Sequence, residues 1–249
     1  MSKKARRYNR KTDHPQAHNS RGIIRKHMSP KSEPQESVLR LFNKNNLILN
    51  GSAGTGKTSY SIYLSLKYLE DHPDYKKIIF IRPTVQTRDM GFLKGGVSLS
   101  NGDGGKLEPF IAPYKSIVDD LCGKGAWDTR YGHMFEFMCT SFLRGTTFGT
   151  SKHDDNKEGV IVILDEMQNC NLHELDTIIT RMGDHCKFIM CGDYYQSDLT
   201  KASEKNGILQ FMDILKDVPY FKEVQFTHKD ILRSDLVKQY IIAKEKYFS

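Results

Sequence analysis

The chain has 249 residues, 38% hydrophobic and 27% charged, which suits one α/β domain with a sizeable core. Its five cysteines (Cys122, Cys139, Cys170, Cys186, Cys191) form no C-x-x-C pair, so neither a disulfide framework nor a structural zinc site is expected and a reducing cytoplasmic setting fits. No apolar run of about 18 residues is present, and no apolar segment follows the basic start MSKKARRYNRKTDH, so neither a membrane-spanning helix nor a secretory leader is expected.

The net charge of +7 is concentrated at one end. Residues 1–32 carry ten Lys and Arg against one acid, Asp13, leaving the rest of the chain slightly acidic. Apart from Met1, Ile23, Ile24 and Met28 are the only sizeable aliphatic side chains there, so residues 1–32 read as a disordered, polycationic arm. Such an arm can bind nucleic acid through its phosphates or simply keep the protein soluble. Residues 33–249 form the folded body.

The body alternates between strand and helix. Residues 37–43 read as a short helix and 46–50 (NLILN) as a buried strand. Residues 58–70 are apolar at helical spacing and stop before Asp71-His72-Pro73. A strand follows at 77–81, and five apolar β-formers at 160–164 (VIVIL) suit a strand covered on both faces. Residues 172–182 read as a helix, 187–191 as a strand, 207–216 as a helix, 222–226 as a strand and 235–246 as a closing helix. This order predicts βαβ units in a doubly wound, mainly parallel sheet with helices on both faces. The segment 91–105 holds six glycines and reads as a surface loop, either a tolerated insertion or a loop that closes on a ligand.

The chemistry concentrates at strand ends. Gly51-Ser52-Ala53-Gly54-Thr55-Gly56-Lys57-Thr58 matches G-x-x-x-x-G-K-[ST] between a predicted strand and a predicted helix. The glycines let the backbone turn its N–H groups toward phosphate oxygens, and the helix N-terminus adds positive potential. Lys57 reaches the β- and γ-phosphates, and Thr58 offers its hydroxyl to Mg²⁺. Asp165 and Glu166 follow the run VIVIL, where ligands meet such sheets. Asp165 is expected to hold Mg²⁺ through water and Glu166 to deprotonate an attacking water. Gln196, beyond the strand at 187–191, can bond the γ-phosphate, and the amide of Gln35 can read the edge of adenine.

The blocks GSAGTGKT, IRPTV with GFLKGG, EPFIAPYKSIVDDL, SFLRGTTF, VILDEMQN, TRMG, CGDYYQSDL and FTHKDILRSDLV occur in this order. Together they resemble the PhoH-like family of P-loop ATPases, whose core is similar to the first RecA-like domain of superfamily 1 helicases. The likeness covers about residues 33–247. It implies ATP and Mg²⁺ as ligands, with Gln35, Lys57, Thr58, Asp165, Glu166 and Gln196 in the roles above. It also places Arg82-Pro83-Thr84 and Thr140-Ser141-Phe142 where superfamily 1 helicases touch single-stranded nucleic acid. The compact size resembles versions encoded by tailed bacteriophages, while the loop at 91–105 is longer than the family pattern.

The expected function is an ATPase coupled to handling of RNA or single-stranded DNA. The alternative is a nucleotide-gated binding or regulatory protein that hydrolyses ATP slowly and unwinds nothing. Superfamily 1 helicases draw catalytic arginines from a second RecA-like domain, which does not fit in this chain. A homo-oligomeric ring, one subunit's arginine completing the next subunit's site, is therefore expected. The candidates are Arg144, ranked first, then Arg181 and Arg233.

Overall fold

A computed structural model describes residues 22–83, 108–140, 143, 145–151, 158–194 and 202–248. Six strands form one sheet: β1 (Asn46–Gly51), β2 (Tyr75–Arg82), β3 (Phe135–Cys139), β4 (Gly159–Leu164), β5 (Cys186–Gly192) and β6 (Phe221–Phe226). Their order across the sheet is β3-β2-β4-β5-β1-β6, and every neighbouring pair is parallel. The expected doubly wound α/β architecture is the one observed.

Alternation along the strands builds two cores. On β4, Ile161 and Ile163 face α1 (Glu33–Leu41), α2 (Lys57–Asp71) and α3 (Glu108–Cys122). Val160, Val162 and Leu164 face α4 (Leu172–Ile179) and α5 (Ala202–Leu215). Both faces of β4 are thus buried, which is why its sequence is continuously apolar. The last helix, α6, spans Asp235–Phe248.

Several elements differ from expectation, each for a local reason. Helix α1 starts at Glu33 rather than at 37, because Pro34 sits in the first turn, where a missing N–H costs nothing. Helix α4 stops at Ile179 rather than at 182: the Arg181 carbonyl accepts from Phe148 N at 2.8 Å, and Gly183 N donates to Phe148 O at 2.8 Å. Helix α3 and strand β3 are additions to the expected order. Pro113 lies inside α3 and reads as a breaker in sequence, yet Ile111, Tyr114, Val118 and Leu121 bury one face of the helix and hold it.

The boundary of the basic arm also moves. Residues 1–21 lie outside the described residues, but 22–32 belong to the body. Ile24 is buried, its N–H bonds Glu70 Oε1 at 2.8 Å, and the N–H groups of Arg25 and Lys26 both reach Leu121 O at 2.9 Å. Burying one such isoleucine is worth about 1.5–3 kcal/mol, enough to tie the segment across α2 and α3. The glycine-rich segment 91–105 lies outside the described residues.

Candidate functional site

The carboxyl ends of β1, β4 and β5 converge on one crevice. Gly51, Gly54 and Gly56 all take positive φ (140°, 79° and 87°), turning the chain from β1 into α2. Gly51 is obligatory for packing as well: a Cβ there would stand 2.1 Å from Phe226 O on β6. Thr55, fully buried, braces the loop by donating to Ser52 O at 2.9 Å, and Ser52 Oγ bonds the Glu245 carboxylate of α6. Ala53 is exposed at the loop's crest. Lys57 Nζ reaches back to Gly51 O at 2.5 Å and Ser52 O at 2.8 Å. Burial pulls the Lys57 ammonium below the usual lysine range, while Cys191, Asp193, Asp165 and Glu166 act in the opposite sense. An anion beside Lys57 would compensate that lost solvation.

Thr58 Oγ1 meets Asp165 across 107 residues of sequence, at 3.2 Å from Oδ1 and 3.4 Å from Oδ2. The strand order places β5 between the two, so the contact bridges from β1's loop past β5 to β4. Burial, and next the negative charge of Glu166, push the Asp165 carboxyl up; Tyr114, Arg82 and Thr58 oppose the shift. Hydroxyl and carboxylate oxygens are hard donors of the kind Mg²⁺ takes together with substrate phosphates. Among the described residues no cluster of three or more His, Cys, Asp or Glu forms a protein cage for a metal. The pair Thr58–Asp165 therefore fits a Mg²⁺ completed by phosphate and water.

Glu166 is the one described non-glycine residue with positive φ, at 59°. Its Oε2 accepts from Gln168 Nε2 at 2.7 Å, and Arg82 Nη2 stands 4.0 Å from its Oε1. Gln168 in turn accepts the Asp193 N–H at 3.1 Å, so it joins the tip of β5 to the acid on β4. Gln168 carries no role in the motif reading; its position two residues after Glu166 is the signal that could have found it.

Gln35 is buried and lines a cavity of about 570 Å³ with Lys26, His27, Lys31, Tyr60 and Leu232. Its Oε1 is committed internally, accepting from Lys31 N at 2.7 Å and Tyr60 Oη at 2.9 Å. Its Nε2 is buried without a partner. The amide therefore offers a donor and not the two-sided face expected, which suits a ring nitrogen acceptor such as adenine N7.

The three candidate arginines separate. Arg233 lies against the phosphate loop of its own chain: a Cβ on Gly54 would be 2.9 Å from Arg233 Cγ, and Leu232 N donates to Gly54 O at 3.0 Å. Arg181 lies between α4 and the start of β5, the end of the sheet away from the phosphate loop. Arg144 and Gln196 lie outside the described residues, as do Thr84, Ser141 and Phe142. Arg82, expected to touch nucleic acid, turns toward Glu166 and over the Phe110 ring. Thr140 is buried and gives its hydroxyl to the Glu174 carboxylate.

A glycine-turned loop at the head of α2, answered by acids on the tip of a parallel strand one place removed, gives this chain the P-loop NTPase fold in its RecA-like form. The family model described as PhoH-like protein matches residues 27–245, and the chain belongs to that family. It is 29% identical over 219 residues to the PhoH-like protein of Bacillus subtilis (strain 168), covering 87% of this chain and 63% of that one. It is 29% identical over 218 residues to the protein PhoH of Escherichia coli (strain K12), covering 84% of this chain and 56% of that one. The chain thus spans about three fifths of the length of curated relatives it matches. The large terminase of a thermophilic bacteriophage shares the fold, with a TM-score of 0.50 at 16% identity over 85% of this chain and 50% of that one. Among the described residues no helix is long and apolar enough to cross a membrane.

Proposed function

We propose that this chain binds and hydrolyses ATP and couples hydrolysis to binding of RNA or single-stranded DNA. The observation that carries the reading is the meeting of Thr58 and Asp165 at 3.2 Å, with Lys57 on one side and Glu166 on the other. Lys57 and the loop amides bind the β- and γ-phosphates. Thr58 and Asp165 hold Mg²⁺, which when bound neutralises phosphate charge. Glu166 takes the proton of the attacking water as its oxygen bonds to the γ-phosphorus and ADP departs. Gln35 reads the adenine from the cavity beside α2, and Gln196 contacts the γ-phosphate.

Arg233 supports a change in the arginine assignment. Its position against Gly54 supplies positive charge from the same chain, whereas a ring with Arg144 acting between subunits supplies it from a neighbour. A mixing experiment separates them. Lys57→Ala and Arg233→Ala proteins, each inactive, stay inactive together if Arg233 serves its own site; recovery of activity shows action between subunits. The same mixture with Arg144→Ala tests the ring.

The alternative, a nucleotide-gated regulator with slow hydrolysis, is favoured by one observation: the Glu166 carboxylate is engaged by Gln168 and faces Arg82. ATPase rates with and without single-stranded RNA and DNA decide. Several-fold stimulation supports the coupled enzyme, and an indifferent slow rate supports the regulator.

A further inference from the structure

Tyr114 lies on α3, an element with no counterpart among the motifs that bind phosphate. It is buried, and its Oη donates to Asp165 Oδ2 at 2.9 Å. The ring is fixed by other aromatics: its centroid is 4.5 Å from Phe80 and 5.6 Å from Phe137. Those side chains rise from β2 and β3, and β2 pairs with β4, which carries Asp165 at its tip. The phenol therefore bonds the same carboxylate as Thr58 while anchored in a different part of the fold. Among the described residues, removing it would leave Oδ2 with only the 3.4 Å contact to Thr58.

We propose that Tyr114 is a positioning residue that holds the Asp165 carboxylate in the orientation for a divalent cation beside Thr58. The proposal rests on reading Asp165 as the metal-holding acid. A partner that hydrogen-bonds a ligating carboxylate fixes its direction, and loss of such a partner typically weakens metal binding about 10–100-fold. The hydroxyl acts through the carboxylate it bonds, so its loss is expected to leave metal-free nucleotide binding intact.

The test uses the full chain loaded with ADP, with Mn²⁺ affinity read by electron paramagnetic resonance. Wild type, Tyr114→Phe and Asp165→Asn are compared, and each melting temperature is recorded. Phenylalanine keeps the ring packed against Phe80 and Phe137, so the fold is retained. The expected result is Mn²⁺ affinity about 10–100-fold weaker in Tyr114→Phe, with Mg²⁺-free ADP affinity at the wild-type value. Wild-type Mn²⁺ affinity in Tyr114→Phe, alongside its loss in Asp165→Asn, overturns the role of Tyr114 and leaves the reading of Asp165 standing. Unchanged affinity in both variants overturns that reading and the proposal with it. An equal fall in metal-free ADP affinity reassigns Tyr114 to general packing and also overturns the proposal.

Discussion

Glu166 occupies a left-handed backbone conformation, φ 59°, that costs a residue of its kind about 1–3 kcal/mol. The strain is held by the buried strand behind it and by Gln168, which donates to its carboxylate. Glu166→Gln should retain ATP binding and lose about 10²–10⁴ in turnover, the usual worth of a general base. A wild-type hydrolysis rate in that variant would reject the assignment. Lys57→Ala should abolish hydrolysis and weaken nucleotide binding, since it removes the charge partner of the phosphates; equilibrium binding of a fluorescent ATP analogue measures it. At Gln35 the structure narrows the sequence reading, because Oε1 is already used by Lys31 and Tyr60. No pattern in SEPQESV could show that, since Tyr60 is 25 residues away.

At the scale of elements, the site depends on how β1 hands over to α2 and how β4 hands over to α4. Helix α4 begins with a capping box, in which Asn171 accepts the Glu174 N–H and Glu174 accepts the Asn171 N–H. Asn171→Ala should cost about 1 kcal/mol of stability, read as a lower urea midpoint with unchanged slope. Gly51→Ala should be far more damaging, because β1 and β6 would have to separate to admit the methyl group 2.1 Å from Phe226 O. Loss of soluble folded protein, or a large drop in melting temperature, is the expected outcome. The strands with continuous apolar runs are legible in sequence because burial on both faces leaves no other composition. Helix α3 is not: Pro113 argues against a helix locally, and the burial of Ile111, Tyr114, Val118 and Leu121, with Tyr114 against the aromatics of β2 and β3, overrules it.

For the whole molecule, charge and buried thiols set two expectations. Burial pushes all five cysteine thiols up, Cys122 to about 11 and Cys186 to about 12. The folded state keeps protons that the unfolded chain releases, so this stability is complete below the unfolded thiol value and falls as pH rises through the folded ones. Lys187, pulled down to about 8 by burial, and Lys57, lowered by burial as well, oppose them, since the unfolded chain then holds the extra proton. Five thiols outweigh the two lysines, so the urea midpoint in reductant should decline above about pH 9, less steeply in Cys191→Ala. The arm makes the second expectation. Removing residues 2–21 deletes seven bases but spares Ile24 and its bonds to α2 and α3. ATPase activity without nucleic acid should persist. The log–log salt slope of single-strand binding should fall by about 0.7 for each phosphate that the removed bases would neutralise; an unchanged slope means the arm does not touch the backbone.

Local order by itself determined the sheet class, the phosphate loop and the two acids on β4. Each depends on neighbours a few residues away: glycines where the backbone must turn, and an apolar run that must end where water begins. The tertiary structure decided what distant segments share. It turned Arg82 toward Glu166, set Arg233 on its own phosphate loop, carried Arg181 to the far end of the sheet, and brought Tyr114 to Asp165. Those pairings span from 51 residues, for Tyr114 and Asp165, to well over a hundred, for Gly54 and Arg233. They follow from strand order and helix placement, which arise from burial summed over the whole chain and leave no mark in any one stretch of sequence.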